Sequence, residues 1–448
     1  KRSAEQLYRV IEKFERFKQI LDTKLDPQEI TYGRFLDAVE QVYLNVLDNL
    51  ELMKNKYDVI VIGGGPAGSV AAKFASENGA SVLLLERDRE AGIPVRCAEG
   101  VSLKGIAPFI EIDKRWIAAQ IDVATLFAPN GESAKMHNNG TGLVLERRIF
   151  DTALCEEAVK FGVEFVTKAD AIDLTWKNGK ISGVKINYLN EILEIECDVV
   201  IGADGVESRV GRWAGIKTNV ALKDIDTCIQ YTLSGIDIEE NACEFYFGRD
   251  VSPGGYVWVF PKNKNTANVG IGLAGHFSHA KGPKKFLDEF IQKRFPNGQK
   301  IYTVCGGVTT ADTLPEIVHD NIMLVGDAAR QVNPITGGGI VQGMIAGSIA
   351  GKVAAEAVQK KKFNKKFLKK YRKEWDKKIG NNQKVMYKIK EKVLEMGDEK
   401  FNSLVKICQN IPADKFTVKA LFSEAVKDDP RLVLEIAKTF VKSKLKLK

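Results

Sequence analysis

Six residues, Gly63-Gly64-Gly65-Pro66-Ala67-Gly68, limit what this chain can fold into more than any others. They fit GxGxxG, and their setting makes the match specific. An apolar strand over Tyr57–Ile62 leads into them, a helix over Pro66–Asn78 leads out, and a second apolar strand over Ser81–Glu86 follows. Strand, glycine turn and helix in that order predict a βαβ unit that binds a dinucleotide. Gly63 makes the turn, Gly65 lets a pyrophosphate approach the backbone, and Gly68 lets the helix pack on the strand. The helix N-terminus supplies N–H groups and positive potential to the phosphates. Glu86 stands eighteen residues past the last glycine, placed to accept from ribose hydroxyls. Its carboxylate would repel a 2′-phosphate, which disfavours NADP.

At 448 residues the chain is long enough for two or more domains. Seven cysteines include no CxxC pair, so a disulfide framework is not expected and a reducing cytoplasm is the default. Four histidines without paired ligand spacing give no metal site. The most apolar stretch, Gly337–Val358, is interrupted by Gln342, Ser348, Lys352 and Glu356, and reads as a buried helix rather than a span. The net charge is +8, and it is uneven: residues 360–378 hold eleven Lys or Arg against two acids. That excess points to an anionic surface or partner. Phe363, Phe367, Tyr371 and Trp375 recur every four residues within it. They predict a helix packed on the body by its aromatic face, with lysines left to attract anionic headgroups. Elsewhere there is little interleaving of aromatic and basic residues, so no nucleic acid is expected.

The expected fold class is α/β: a Rossmann-type dinucleotide-binding domain, a second, mostly antiparallel β-sheet domain, and a helical C-terminal region. Residues 1–54 read as a helical extension of two amphipathic helices, with Asp26-Pro27-Gln28-Glu29 as the cap of the second. The dinucleotide-binding domain is assigned to 56–216 and 311–358. Within it, Glu191–Cys197 reads as half of a hairpin and Asp198–Ala203 as a separate buried strand. Alternating strands over 217–310 form the substrate domain, and 359–448 the basic helical region.

Two later segments turn a dinucleotide reading into one of FAD. Gly202-Ala203-Asp204-Gly205 ends an apolar strand. So does Gly326-Asp327-Ala328-Ala329, which leads into Pro334-Ile335-Thr336-Gly337-Gly338-Gly339-Ile340. The Asp327 carboxylate can accept a ribityl hydroxyl, and the glycines after it let backbone approach the flavin. In these motifs and their order the chain resembles the para-hydroxybenzoate hydroxylase-like flavoproteins. Two more segments, Pro94-Val95-Arg96-Cys97-Ala98-Glu99-Gly100 and Pro253-Gly254-Gly255-Tyr256-Val257-Trp258-Val259-Phe260-Pro261, resemble the geranylgeranyl reductase family, especially archaeal members acting on digeranylgeranyl glycerophospholipids. The resemblance covers roughly residues 56–400.

It implies FAD contacts at Ala67 and Glu86, at Cys97, Ala98 and Gly100, and at Arg147 of Arg147-Arg148-Ile149-Phe150-Asp151. It implies further contacts at Ala171 on the adenine side, and at Asp327, Gly339 and Ile340. Tyr256, Trp258 and Phe260 alternate and so share one face of a strand. By pattern alone that face suits an ordinary core, and with the resemblance it suits walls of an apolar substrate channel. Cys97 fits either a small buried residue or a group with a role in positioning or proton delivery. The implied reaction is reduction of carbon–carbon double bonds in a prenyl lipid, cytoplasmic and at a membrane surface. Without a second GxGxxG, electrons would come from a ferredoxin-like protein or transient NAD(P)H. The rivals are a flavin monooxygenase, an electron-transfer flavoprotein-type quinone oxidoreductase, and a non-catalytic lipid-binding module.

Overall fold

The computed structural model describes residues 53–277 and 281–409, together with 12, 15–20 and 23. It divides into two compact units, Lys1–Tyr57 and Asp58–Lys448. In the first unit residues 12, 15–20 and 23 are helical. The rest of the expected helical pair, with its cap at Asp26, lies outside the described residues, as does the basic region from 410 on.

The second unit is built on two sheets. The first holds β1 (Lys56–Ile62), β2 (Val82–Leu85), β6 (Glu164–Val166), the hairpin β7 (Ala169–Lys177) and β8 (Lys180–Tyr188), β9 (Glu191–Gly202), β15 (Val318–His319) and β16 (Ile322–Leu324). Its order is β15-β16-β9-β1-β2-β6, with β7 and β8 carried off β9. β1 runs parallel to β2, from Val59 opposite Val82 to Ile62 opposite Leu85. β2 is a continuous apolar run, as is Val59–Ile62 of β1, and both stretches are fully buried. The two segments expected on either side of Asp198 are one strand, β9. Its first half pairs with β8, and its end, Val200–Gly202, pairs in parallel with β16. A change of partner along a strand leaves no break in the local sequence.

Numbering the longer helices in chain order, α1 (Pro66–Glu77) crosses from β1 to β2, α2 spans Arg147–Lys160 and α3 Pro283–Arg294. The glycine-rich helix α4 (Ile340–Lys360) is followed by α5 (Lys365–Trp375), α6 (Asn381–Leu394) and α7 (Asp398–Gln409). α4 lies on α1 at backbone contact. A Cβ on Gly347 would stand 2.2 Å from the Ala67 carbonyl oxygen, and one on Gly351 2.3 Å from that of Ala71.

The second sheet holds β3 (Gly100–Ser102), β4 (Ile117–Phe127), β5 (Ser133–Leu145), β10 (Ile225–Ser234), β11 (Ala242–Tyr246), β12 (Tyr256–Asn263), β13 (Thr266–Ala274) and β14 (Gln299–Thr309). Its order is β14-β10-β13-β12-β11-β4-β5-β3, antiparallel except where β11 meets β4. Three of its strands come from within 100–145, a stretch assigned above to the first domain. The boundary at 217 therefore does not separate the two sheets: the chain enters the second sheet, leaves it and returns. One face of this sheet packs on α3 through Ile229, Tyr231, Leu233, Val257, Val259, Leu287 and Ile291. The opposite face carries Ile121, Val144, Cys243, Trp258 and Phe260.

Candidate functional site

The turn after β1 is shaped by contact with β9. Gly63 has φ +109°, open to glycine, and a Cβ there would stand 2.4 Å from the Ala203 carbonyl oxygen. A Cβ on Gly68 would lie 1.9 Å from the Gly63 carbonyl oxygen, so α1 starts hard against the strand. At Gly65 a Cβ would meet nothing within 4 Å. That position opens onto a cleft lined by Gly63, Gly65, Glu86, Arg147, Ala171 and Asp204.

Glu86 follows β2 and accepts from the Gly64 N–H through Oε2 at 2.9 Å and from the Asp88 N–H through Oε1 at 3.0 Å. Burial nevertheless pushes its carboxyl up. Asp204 at the end of β9 accepts from the Val210 N–H at 2.9 Å, while its buried Oδ1 has no partner. A helix N-terminus, an unfilled glycine position and an unsatisfied buried carboxylate oxygen along one cleft fit a dinucleotide. These residues would hold the adenosine and pyrophosphate of FAD.

The Asp327 turn meets α1 from the other side. A Cβ on Gly326 would lie 2.8 Å from Ala67 Cβ, and one on Gly339 3.0 Å from Asp327 Oδ1. Burial raises the Asp327 carboxyl, opposed by the Arg147 guanidinium. Ala67, Asp327 and Gly339 thus come together as the residues that would face the ribityl chain and flavin. Ile340, the first residue of α4, follows Gly339 directly, and its partly buried side chain packs against the cluster that holds Phe109 and Met344.

Arg147 begins α2 and grips Asp151 with two hydrogen bonds of 2.7 Å each. Burial works against its charge, and Asp151 holds it protonated. It is the link between the two halves, since it faces Cys97 as well as Asp327. The Cys97 thiol is raised by burial, with Arg147 pulling the other way. Its sulfur accepts from the Glu99 N–H at 3.2 Å.

The Cys97 loop is fastened to the aromatic strand by side chains far apart in sequence. Gln230 on β10 donates to the Cys97 carbonyl oxygen at 3.1 Å and accepts from Trp258 Nε1 at 2.9 Å. Phe260 lies on Gly100, where a Cβ would come within 2.6 Å of its ring. Trp258 lies over Gly270 in the same way, at 2.3 Å. Tyr256 donates to the Thr336 carbonyl oxygen at 2.6 Å, joining β12 to the loop after Asp327. Phe245 completes the cluster, 5.7 Å from the Tyr256 ring and 5.4 Å from that of Phe260. Tyr256, Trp258 and Phe260 therefore share one face, with Ala98 packed against them. Gln230, Glu99 and Phe245 were not among the expected site residues. Glu99 stood in the quoted loop, but nothing local distinguishes Gln230.

At the C-terminal side, α5 buries Leu368, Tyr371 and Trp375 and leaves Lys366, Lys369 and Lys373 exposed. Tyr371 donates to the Leu324 carbonyl oxygen at 2.8 Å, tying the helix to the strand that carries Asp327. Phe363 and Phe367 are half-buried. No described helix is long and apolar enough to cross a membrane.

Comparison with known proteins gives matches of two kinds. Residues 224–308 match the geranylgeranyl reductase catalytic domain, and residues 57–237 the pyridine nucleotide-disulphide oxidoreductase family. The digeranylgeranylglycerophospholipid reductase of Methanocella arvoryzae is 42% identical over 86% of this chain and 99% of its own length. That of Methanothrix thermoacetophila is 42% identical over 85% and 98%. The crystal structure of a geranylgeranyl bacteriochlorophyll reductase-like protein from Thermoplasma acidophilum superposes with a TM-score of 0.82. It shares 35% identity and covers 86% of this chain and 99% of its own.

Proposed function

Because the chain belongs to the geranylgeranyl reductase family, we propose that it is an FAD-dependent reductase that saturates the double bonds of geranylgeranyl chains on digeranylgeranyl glycerophospholipids. The observation that carries this is the joint held by Gln230 and Tyr256. It sets an apolar aromatic face against the Cys97 loop and the Asp327 turn at once.

Bound and reduced, FAD supplies a hydride to one alkene carbon, and a proton must reach the other. An isolated alkene offers no carbonyl to polarise, so the protein contributes alignment and exclusion of water. Tyr256, Trp258, Phe260 and Phe245 provide ring surface whose two polar atoms, the Tyr256 hydroxyl and Trp258 Nε1, are already hydrogen-bonded within the protein. Burial keeps the Cys97 thiol protonated at neutral pH, as a proton donor must be. Arg147 and Asp327 would orient the cofactor. A ferredoxin-like protein or NAD(P)H would deliver electrons, and the exposed lysines of α5 would rest on anionic headgroups.

The test is chemical reduction of the purified protein without oxygen, followed by addition of an unsaturated digeranylgeranyl phospholipid. Flavin reoxidation with gain of two hydrogens per double bond is expected. Reoxidation only by oxygen, leaving a hydroxylated product, would instead favour a monooxygenase.

A further inference from the structure

Glu99 sits at the centre of the Cys97 loop in a conformation that side chains rarely adopt, φ +74°. It is buried, at 5% exposure. A carboxylate there must be paid for by partners, and it has them from three directions. The Arg147 N–H donates to Oε1 at 3.0 Å, Lys262 Nζ to Oε2 at 2.8 Å, and Asn268 Nδ2 also to Oε2. Its own N–H donates to the Cys97 sulfur, and its carbonyl oxygen accepts from the Leu145 N–H at 2.9 Å. One residue therefore joins the thiol to α2, β5, β12 and β13.

We propose that Glu99 is the positioning residue of this site: it fixes the Cys97 thiol in one orientation and sets a negative charge beside it against Arg147 and Lys262. The proposal rests on the reading of Cys97 as the proton donor. Glu99 apart, the charged group facing the thiol is Arg147. From α2 it faces Arg147, itself held by Asp151. From β12 it faces Tyr256, with Lys262 behind Glu99 and Glu146 as that lysine's second partner. Without a carboxylate here, Arg147 would pull the thiol toward the thiolate with less to oppose it, working against the burial that holds it protonated.

The test uses the FAD-loaded protein. The rate of Cys97 alkylation by iodoacetamide is followed against pH by peptide mass mapping, alongside turnover. In Glu99→Gln the side chain keeps its size and loses its charge. The alkylation midpoint is expected to move down by about one pH unit or more, with turnover reduced at least tenfold. Glu99→Asp keeps the charge and shortens the reach. Its midpoint should stay near the wild-type value while turnover falls. If Glu99→Gln does not retain flavin, Glu99→Asp decides alone, and unchanged turnover there overturns the proposal. An unshifted alkylation profile in a flavin-loaded Glu99→Gln also overturns it. If the wild type reduces no prenyl lipid, the proposed function fails, and the alkylation shift still decides the role of Glu99.

Discussion

At Gly65 a methyl group would meet open space, and at Gly68 it would collide with the Gly63 carbonyl. The two substitutions to alanine should therefore separate binding from folding. Gly65→Ala, at φ −72° and ψ 179°, should fold with stability within about 0.5 kcal/mol of the wild type. Its FAD affinity should fall at least tenfold by fluorescence titration, because the methyl occupies the approach to the pyrophosphate. Gly68→Ala should be destabilised by about 3 kcal/mol or more and purify poorly. Asp226 on β10 gives a pH-dependent case. Burial pushes its carboxyl up to about 6, against Lys390 and a 3.2 Å hydrogen bond from Thr310. The folded state then keeps a proton that the unfolded chain releases nearer pH 4. Stability is lost as pH rises through this window, and the cost is fully present above about 6. Asp226→Asn should be more stable than the wild type, by roughly 2–3 kcal/mol at pH 8. Its margin at pH 5 should be smaller by about 1–2 kcal/mol, read from thermal midpoints at the two pH values.

Among the elements, the contact of α1 with α4 does most to connect fold and site. Alanine in place of a helical glycine ordinarily gains about 1 kcal/mol. Here the Cβ of Gly347→Ala would press on the backbone of α1 beside Ala67, at the end nearest the phosphates. The sign should reverse, with a loss of roughly 1–3 kcal/mol. FAD affinity should fall as well, because α1 cannot move without carrying its N-terminus away. A lower melting temperature with unchanged FAD affinity would show that FAD binding does not depend on how α4 packs against the start of α1.

For the molecule as a whole, the exposed lysines of α5 are held in place by the buried Leu368, Tyr371 and Trp375 rather than left on a loose tail. A fixed basic face should bind vesicles containing anionic phospholipid at low salt and release them at about 0.5 M salt, where charges are screened within a few ångströms. The triple change Lys366→Glu, Lys369→Glu and Lys373→Glu should abolish sedimentation with such vesicles and leave flavin content intact. Binding that persists through both would place the membrane contact elsewhere.

What could be read from the sequence was whatever a short stretch of chain must satisfy by itself. The glycine turn followed by Glu86, the Asp204 and Asp327 turns, and the alternation of Tyr256, Trp258 and Phe260 each answer to a local backbone geometry or a two-residue period. The tertiary structure alone decided what meets across the chain. It lent β3, β4 and β5 to the second sheet and kept β9 whole. Gln230 was set 133 residues from the Cys97 carbonyl it holds, and the Glu99 carboxylate 163 residues from Lys262. Such partners carry no periodic signal, because a hydrogen bond between distant residues constrains two side chains and nothing between them. The glycine turn therefore announces that a dinucleotide binds. What is placed beside that dinucleotide depends on contacts that exist only once the two sheets have closed on each other.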